Sequence, residues 1–178
     1  MNDYLPAIYL SGLLILLAGL GVFVLRQIIK TRRLDKTYRQ LQNKIKDGKG
    51  AAQDYYQLGS IYLDKKLYVQ SINLLQKALK SKEEIEPENQ ALIHNALGFA
   101  YNTQEQYELA IRNYKEAIKL NPAYVVALNN LGNVYEKKQL TNKALETYQA
   151  ALAIEPNNKA AKRRAESLQK RLGAPKSV

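Results

Sequence analysis

The sequence predicts an all-α protein in which one membrane-spanning helix is followed by a solenoid of three repeats and a C-terminal capping helix. Three observations carry this. Residues 91–124 and 125–158 align without a gap, pairing Leu97 with Leu131, Gly98 with Gly132, Tyr101 with Tyr135, Ala110 with Ala144, Tyr114 with Tyr148, Ala117 with Ala151 and Pro122 with Pro156, a period of 34 residues. Residues 4–25 contain no charged side chain. The 178-residue chain carries a net charge of +11, yet residues 51–158 hold eleven Lys or Arg against twelve Asp or Glu, so the basicity belongs to the flanks. A fixed period of roughly 20–50 residues marks units that cannot bury their apolar face alone and must stack on a neighbour. Function is therefore sought on a stacked surface.

The N-terminal run comes first. About 20 apolar residues cross a hydrocarbon core of roughly 30 Å as a helix, and residues 1–29 are assigned as a transmembrane anchor. A cleaved signal peptide would carry a positive leader; here Asn2 and Asp3 precede the run, and Arg26, Gln27, Lys30, Arg32 and Arg33 follow it. Basic residues beside a span stay on the cytoplasmic side. The expected topology is a single-pass protein with its N-terminus outside or in the lumen and everything beyond Arg26 in the cytoplasm or stroma.

Residues 30–50 predict a basic juxtamembrane helix and a glycine linker. Leu34, Tyr38, Leu41 and Ile45 fall at i, i+4, i+7 and i+11, a narrow apolar stripe among basic residues. Two destinations for this helix stay open, and they need not exclude each other. It could lie on anionic lipid, with Arg26, Lys30, Arg32, Arg33, Lys36 and Arg39 at the membrane surface, each contributing about 1 kcal/mol. It could instead pack its stripe on the first repeat and close that end of the stack. The Asp47-Gly48-Lys49-Gly50 stretch predicts a flexible joint.

The repeats occupy residues 51–84, 91–124 and 125–158. The first keeps Leu58, Gly59, Tyr62 and Ala78 in register but has Ser71 for Ala, Leu75 for Tyr and Glu83 for Pro, as an end unit would. Five extra residues lie in the 81–90 stretch, where Glu83, Glu84, Glu86 and Glu88 surround Pro87. They predict a longer loop and an acidic helix start favoured by the helix dipole, with an acidic docking knob as the alternative. Gly98 and Gly132 predict close helix approach, with Ala110 and Ala144 as small partners opposite. After the third repeat, Ala161, Ala165, Leu168 and Leu172 repeat the helical spacing, Asn158 starts the helix, and Gly173 and Pro175 stop it. Residues 159–173 are thus a capping helix and 174–178 a tail.

The positions and identities of these residues resemble the tetratricopeptide repeat, whose signature has aromatic, Leu-Gly, Tyr, Ala, aromatic and Pro positions at this period. Tyr55, His94 and Leu128 stand in place of its leading Trp. The resemblance implies that the first helix of each unit lines a concave groove. The groove residues it implies are Tyr56, Gln57 and Ser60, then Asn95, Phe99 and Asn102, then Asn129, Asn130, Asn133 and Glu136. Side-chain amides both donate and accept hydrogen bonds, so such a groove could hold a peptide backbone. A chaperone tail is not the expected ligand: Tyr56, Gln57 and Ala96 stand where the chaperone-docking members of the family carry their carboxylate clamp, and only Lys137 nearby is basic.

Enzymatic chemistry finds no support in the residue inventory. There is no cysteine, and the sole histidine, His94, sits at a packing position. No phosphate loop, zinc-type histidine pair or nucleophile elbow is present, so no catalytic residue, metal or cofactor is expected. Nucleic acid is not an expected partner, since Tyr38 alone is an aromatic among the basic flanks. Small-molecule substrates are not expected either. The expected partners are proteins, as subunits of a membrane complex, together with membrane lipid.

The whole layout, an anchor, a basic helix, three repeats and a basic cap, resembles the small membrane-anchored tetratricopeptide proteins of cyanobacteria and red-algal plastids that assist photosystem I assembly. That resemblance implies a thylakoid scaffold whose repeats face the cytoplasm or stroma. An organelle import or targeting receptor is the alternative, as is a bacterial inner-membrane adaptor.

Overall fold

The computed structural model describes residues 5–173, apart from the side chains of residues 5–8, 30, 33 and 34; the predicted tail at 174–178 lies outside this range. The described residues form eight helices and no strand: α1 (Leu5–Lys46), α2 (Ala52–Asp64), α3 (Tyr68–Leu79), α4 (Pro87–Thr103), α5 (Tyr107–Leu120), α6 (Val125–Lys137), α7 (Thr141–Ile154) and α8 (Lys159–Gly173). Three hairpins, α2–α3, α4–α5 and α6–α7, stack in order, and α8 packs on α7.

The predicted boundary at residue 29 is not a helix boundary. Neither Gly nor Pro interrupts the chain between the apolar run and Lys46, so α1 continues unbroken for 42 residues, about 63 Å at 1.5 Å per residue. Its apolar stretch Tyr9–Ile29 has 21 residues and a mean hydropathy of 2.2, and none of it is buried against the rest of the protein.

The structure shows the second destination of the basic segment, its apolar stripe packed on the first repeat. Leu41 is buried with Leu58 and Ile61, and Tyr38, Ile45, Tyr62 and Leu74 close around them; the Leu34 side chain lies outside the described residues. Tyr38 and Tyr62 meet edge to face at 5.9 Å, and Gln42 Nε2 donates to the Tyr38 hydroxyl at 2.7 Å. An amphipathic helix lies on a bilayer by burying its apolar face there, and this stripe is already spent on the first repeat. The segment is an N-terminal cap.

The glycines after α1 form a hydrogen-bonded turn. Gly48 takes φ 72°, and Lys49 N–H donates back to the Lys44 carbonyl at 3.0 Å. Lys44 then reaches Asp54 on α2 at 2.6 Å, and Asp54 also accepts the Ala51 amide at 2.8 Å. Burial opposes ionisation of Asp54, but the hydrogen bonds from Lys44 and the Ala51 amide together hold its carboxyl below the usual value. A carboxyl lowered on folding contributes stability above its unfolded value of about 3.9, and that contribution fades as pH falls through the lower folded value. The unfolding-temperature gap between wild type and Asp54→Asn should therefore be open at neutral pH and close below about pH 4; a gap independent of pH would refute the assignment.

Each hairpin turns at the same strained place. Lys66, Glu105 and Gln139 all have φ of 58–59°, at equivalent positions of the three units. In each, the next residue donates back to a helix carbonyl five residues earlier, as Leu67 to Tyr62, Gln106 to Tyr101 and Leu140 to Tyr135. A left-handed residue with a Cβ costs roughly 1–2 kcal/mol relative to glycine. Gln139→Gly should raise stability by about 0.5–1 kcal/mol, read as a higher midpoint in denaturant.

Packing within the hairpins differs from the expected pairing of Gly98 with Ala110. A Cβ on Gly98 would lie 2.7 Å from the Tyr114 ring, and one on Gly132 would lie 2.8 Å from the Tyr148 ring. The glycines thus make room for rings lying on helix backbone, and the small alanines fill the space beyond. The departures of the first repeat are mutually consistent: Leu75 replaces the ring over Gly59, and Ser71, fully buried, donates to the Gly59 carbonyl at 2.8 Å. Glu83, in place of Pro, accepts the Ala52 amide at the N-terminus of α2 at 3.0 Å. Part of the acidic insertion is absorbed by α4, which begins at Pro87, four residues ahead of the repeat boundary.

At the other end, Asn158 Oδ1 accepts the Ala161 amide at 3.0 Å and starts α8 as predicted. Ala161, Ala165 and Leu168 are buried. Leu172, the fourth residue of the predicted stripe, is 49% exposed, because the stack ends beneath it.

Candidate functional site

The first helices α2, α4 and α6 are neighbours along one side of the stack, and the predicted groove residues lie on them. Three of the six amides there are already bonded between units. Asn130 Nδ2 donates to Asn95 Oδ1 at 3.0 Å, and Lys137 donates to Asn102 Oδ1 at 2.9 Å; both bonds tie α4 to α6. Glu136 accepts the Tyr148 hydroxyl at 2.8 Å and lies 3.6 Å from Arg164 of the cap. Ser60 donates to the Tyr56 carbonyl within α2 at 2.9 Å. Gln57 is exposed, and Tyr56 and Asn133 are half-buried.

One amide remains incompletely satisfied: Asn129 Oδ1 is buried and accepts no hydrogen bond in the structure. Much of the hydrogen-bonding capacity that suggested an amide groove is thus used to set the register of successive units. What this side offers a partner is more apolar than the residue list implied. Phe99 is 43% exposed, and Leu92 and Val126 are also exposed. Leu92 and Val126 occupy the same place in their units, a period that could have revealed them. Tyr124, also missed, stands beside Tyr56 and Asn95; burial above all, and then Tyr56, push its phenol up, with Asn95 opposing.

The basic residues of α1 divide by distance from the membrane-length stretch. Arg26, Arg32, Lys36 and Arg39 are exposed, whereas the Lys30 and Arg33 side chains lie outside the described residues. At 100° per residue Arg32, Lys36 and Arg39 fall opposite the stripe that packs on α2, so these three face away from the repeats. Arg26 lies near the C-terminal end of the apolar stretch and Arg32 just beyond it. Lys36 and Arg39 stand one to two turns further along the helix, about 6–11 Å, where a surface potential that fades within about 10 Å is weaker.

His94 is not in the core. It is half-buried and pairs through Nδ1 with Asn113 Oδ1 at 3.1 Å, on the wall of a cleft of about 580 Å³ between α3, α4 and α5. Among the described residues no three of His, Asp or Glu converge as a metal site.

Family models of the tetratricopeptide repeat match residues 53–85, 100–139 and 125–158. The chain is 37% identical over 175 residues, 97% of its length, to the chloroplastic tetratricopeptide repeat domain-containing protein PYG7 of Arabidopsis thaliana, of which it spans 58%. It is 37% identical over 164 residues to the ycf37 protein of Cyanophora paradoxa, covering 92% of this chain and 95% of that protein. A crystal structure of MamA superposes with a TM-score of 0.72 at 24% identity over 81% of each chain, a likeness of fold. Near full-length similarity together with the three repeat matches establishes that the chain belongs to the ycf37 family of tetratricopeptide-repeat proteins.

Proposed function

We infer that this protein is a membrane-anchored scaffold that presents its repeat stack to subunits of a membrane complex, and that the complex is photosystem I at the thylakoid membrane. The observation that carries the scaffold reading is the unbroken α1, whose apolar stretch runs directly into the segment buried against the first repeat. An anchor joined this way holds the stack at a set height and orientation, where a loose tether would let it roam. The chloroplast protein among its relatives and the resemblance of the whole layout support the choice of complex. The partner-facing surface is the α2–α4–α6 side, with Phe99, Leu92 and Val126 as apolar contacts.

Purification from native membranes in mild detergent, followed by mass spectrometry, tests this. Photosystem I subunits should co-purify, and Phe99→Asp should reduce their recovery several-fold with no loss of folding, since Phe99 is exposed. Import-channel subunits in their place would favour a targeting receptor. Migration of the protein alone on a native gel would overturn the scaffold reading. Protease added to sealed right-side-out vesicles should spare the repeats; digestion there would reverse the topology.

A further inference from the structure

We propose that the cleft between α3, α4 and α5 is a docking site for the tryptophan side chain of a partner protein, on a face of the stack distinct from the α2–α4–α6 side. Leu79 of α3, His94, Leu97 and Tyr101 of α4, and Leu109 and Asn113 of α5 line it. The cleft lies where the repeat signature places its leading Trp. In the other two units that place is filled by apolar packing: Leu128 is buried in the main core, and Tyr55 packs into the cluster around Leu75. In the second unit the shorter imidazole of His94 turns to Asn113, and an open volume remains.

The chemistry of the walls selects the occupant. Asn113 Nδ2 donates to the Leu109 carbonyl at 2.8 Å, which fixes its amide with Oδ1 toward His94. His94 Nδ1 must then donate, so in the neutral ring Nε2 is left as an acceptor. Gln76 Nε2 donates to the Tyr101 hydroxyl at 3.0 Å, which orients that hydroxyl as well. Arg112 and Glu116 both border the cleft, so an anion meets a carboxylate and a cation meets a guanidinium, and a neutral occupant is favoured. An aliphatic side chain would cover the leucines but leave the imidazole acceptor unpaired. Indole presents two apolar faces and one N–H donor, which matches the three leucines and an acceptor, the His94 imidazole or the Glu116 carboxylate at the border. Leu109, 40% exposed, forms the open rim through which a partner enters.

The test uses the full chain in lipid nanodiscs with isotope-labelled leucine methyls, titrated with the water-soluble peptide acetyl-Gly-Ser-Trp-Ser-Gly-amide. Saturable shifts are expected at Leu79, Leu97 and Leu109, none with the Ala peptide, and weakening of up to about tenfold with 1-methyltryptophan, which lacks the donor. His94→Trp should fill the cleft from within, keep or raise the unfolding midpoint, and abolish the shifts. Leu109→Lys, at the exposed rim, should also abolish them, and it decides the matter if His94→Trp folds poorly. Absence of saturable shifts, shifts at Leu63 and Leu92 in their place, equal binding of 1-methyltryptophan, or undiminished binding by Leu109→Lys would overturn the proposal. None of these outcomes depends on whether photosystem I subunits co-purify.

Discussion

Tyr114→Ala should destabilise the protein by about 3–5 kcal/mol, the range for removing a large aromatic from a packed core. Tyr114 is fully buried, its ring lies against the backbone of Gly98, and it belongs to the cluster that runs through the second and third repeats into the cap. The surrounding helices relax only partly into such a space, so a cavity remains. Tyr114→Phe provides the contrast. The hydroxyl is buried without a well-formed hydrogen bond, although Asn102 lies nearby, and burial pushes the phenol well above its ordinary value. Removing a buried, poorly satisfied hydroxyl is neutral or stabilising, so Phe should equal or exceed wild type in denaturant midpoint. A loss of more than about 1 kcal/mol in Tyr114→Phe would show that the Asn102 contact is a real bond.

Leu168→Ala should cost about 2–5 kcal/mol and expose the end of the stack. Leu168 is 1% exposed and, with Ala161 and Ala165, joins the cluster containing Ala144, Tyr148 and Ala151. A terminal unit loses more than its own contacts when its cap loosens, because a solenoid is stabilised by nearest-neighbour interfaces. Hydrogen exchange should therefore rise across α6 and α7 in this variant and leave α2 and α3 protected. Arg164→Ala removes only a partly exposed pair with Glu136 at 3.6 Å and should change stability by at most about 1 kcal/mol. If the two substitutions proved equal, the cap would hold by charge and not by apolar burial.

Some of this organisation is readable from residue order. The repeat period, the apolar run, the Asn158 start and the helical spacing in residues 30–45 depend on spacing along the chain, and local spacing fixes helices, their faces and their ends. Gly98 and Gly132 were recognisable as sites of close approach from their type. Their partners, the Tyr114 and Tyr148 rings, were not, because the choice between facing residues is made by packing across the hairpin.

The candidate surface was the least readable part. Asn95 and Asn130 lie 35 residues apart in the chain and bond across two helices, as do Asn102 and Lys137. A sequence shows that an amide faces a given side of a helix; it does not show whether a neighbouring helix has already taken its hydrogen bonds. The same holds for the stripe Tyr38, Leu41 and Ile45, for which lipid and protein are equally apolar destinations. By itself the sequence determined an all-α stack of three units, an apolar N-terminal helix of membrane-spanning length and basic flanks, since these follow from period, composition and charge. Only the tertiary structure decided that α1 closes the stack, that half of the groove amides are spent on register and that His94 borders a cleft, because each depends on which side chains meet across helices distant in sequence.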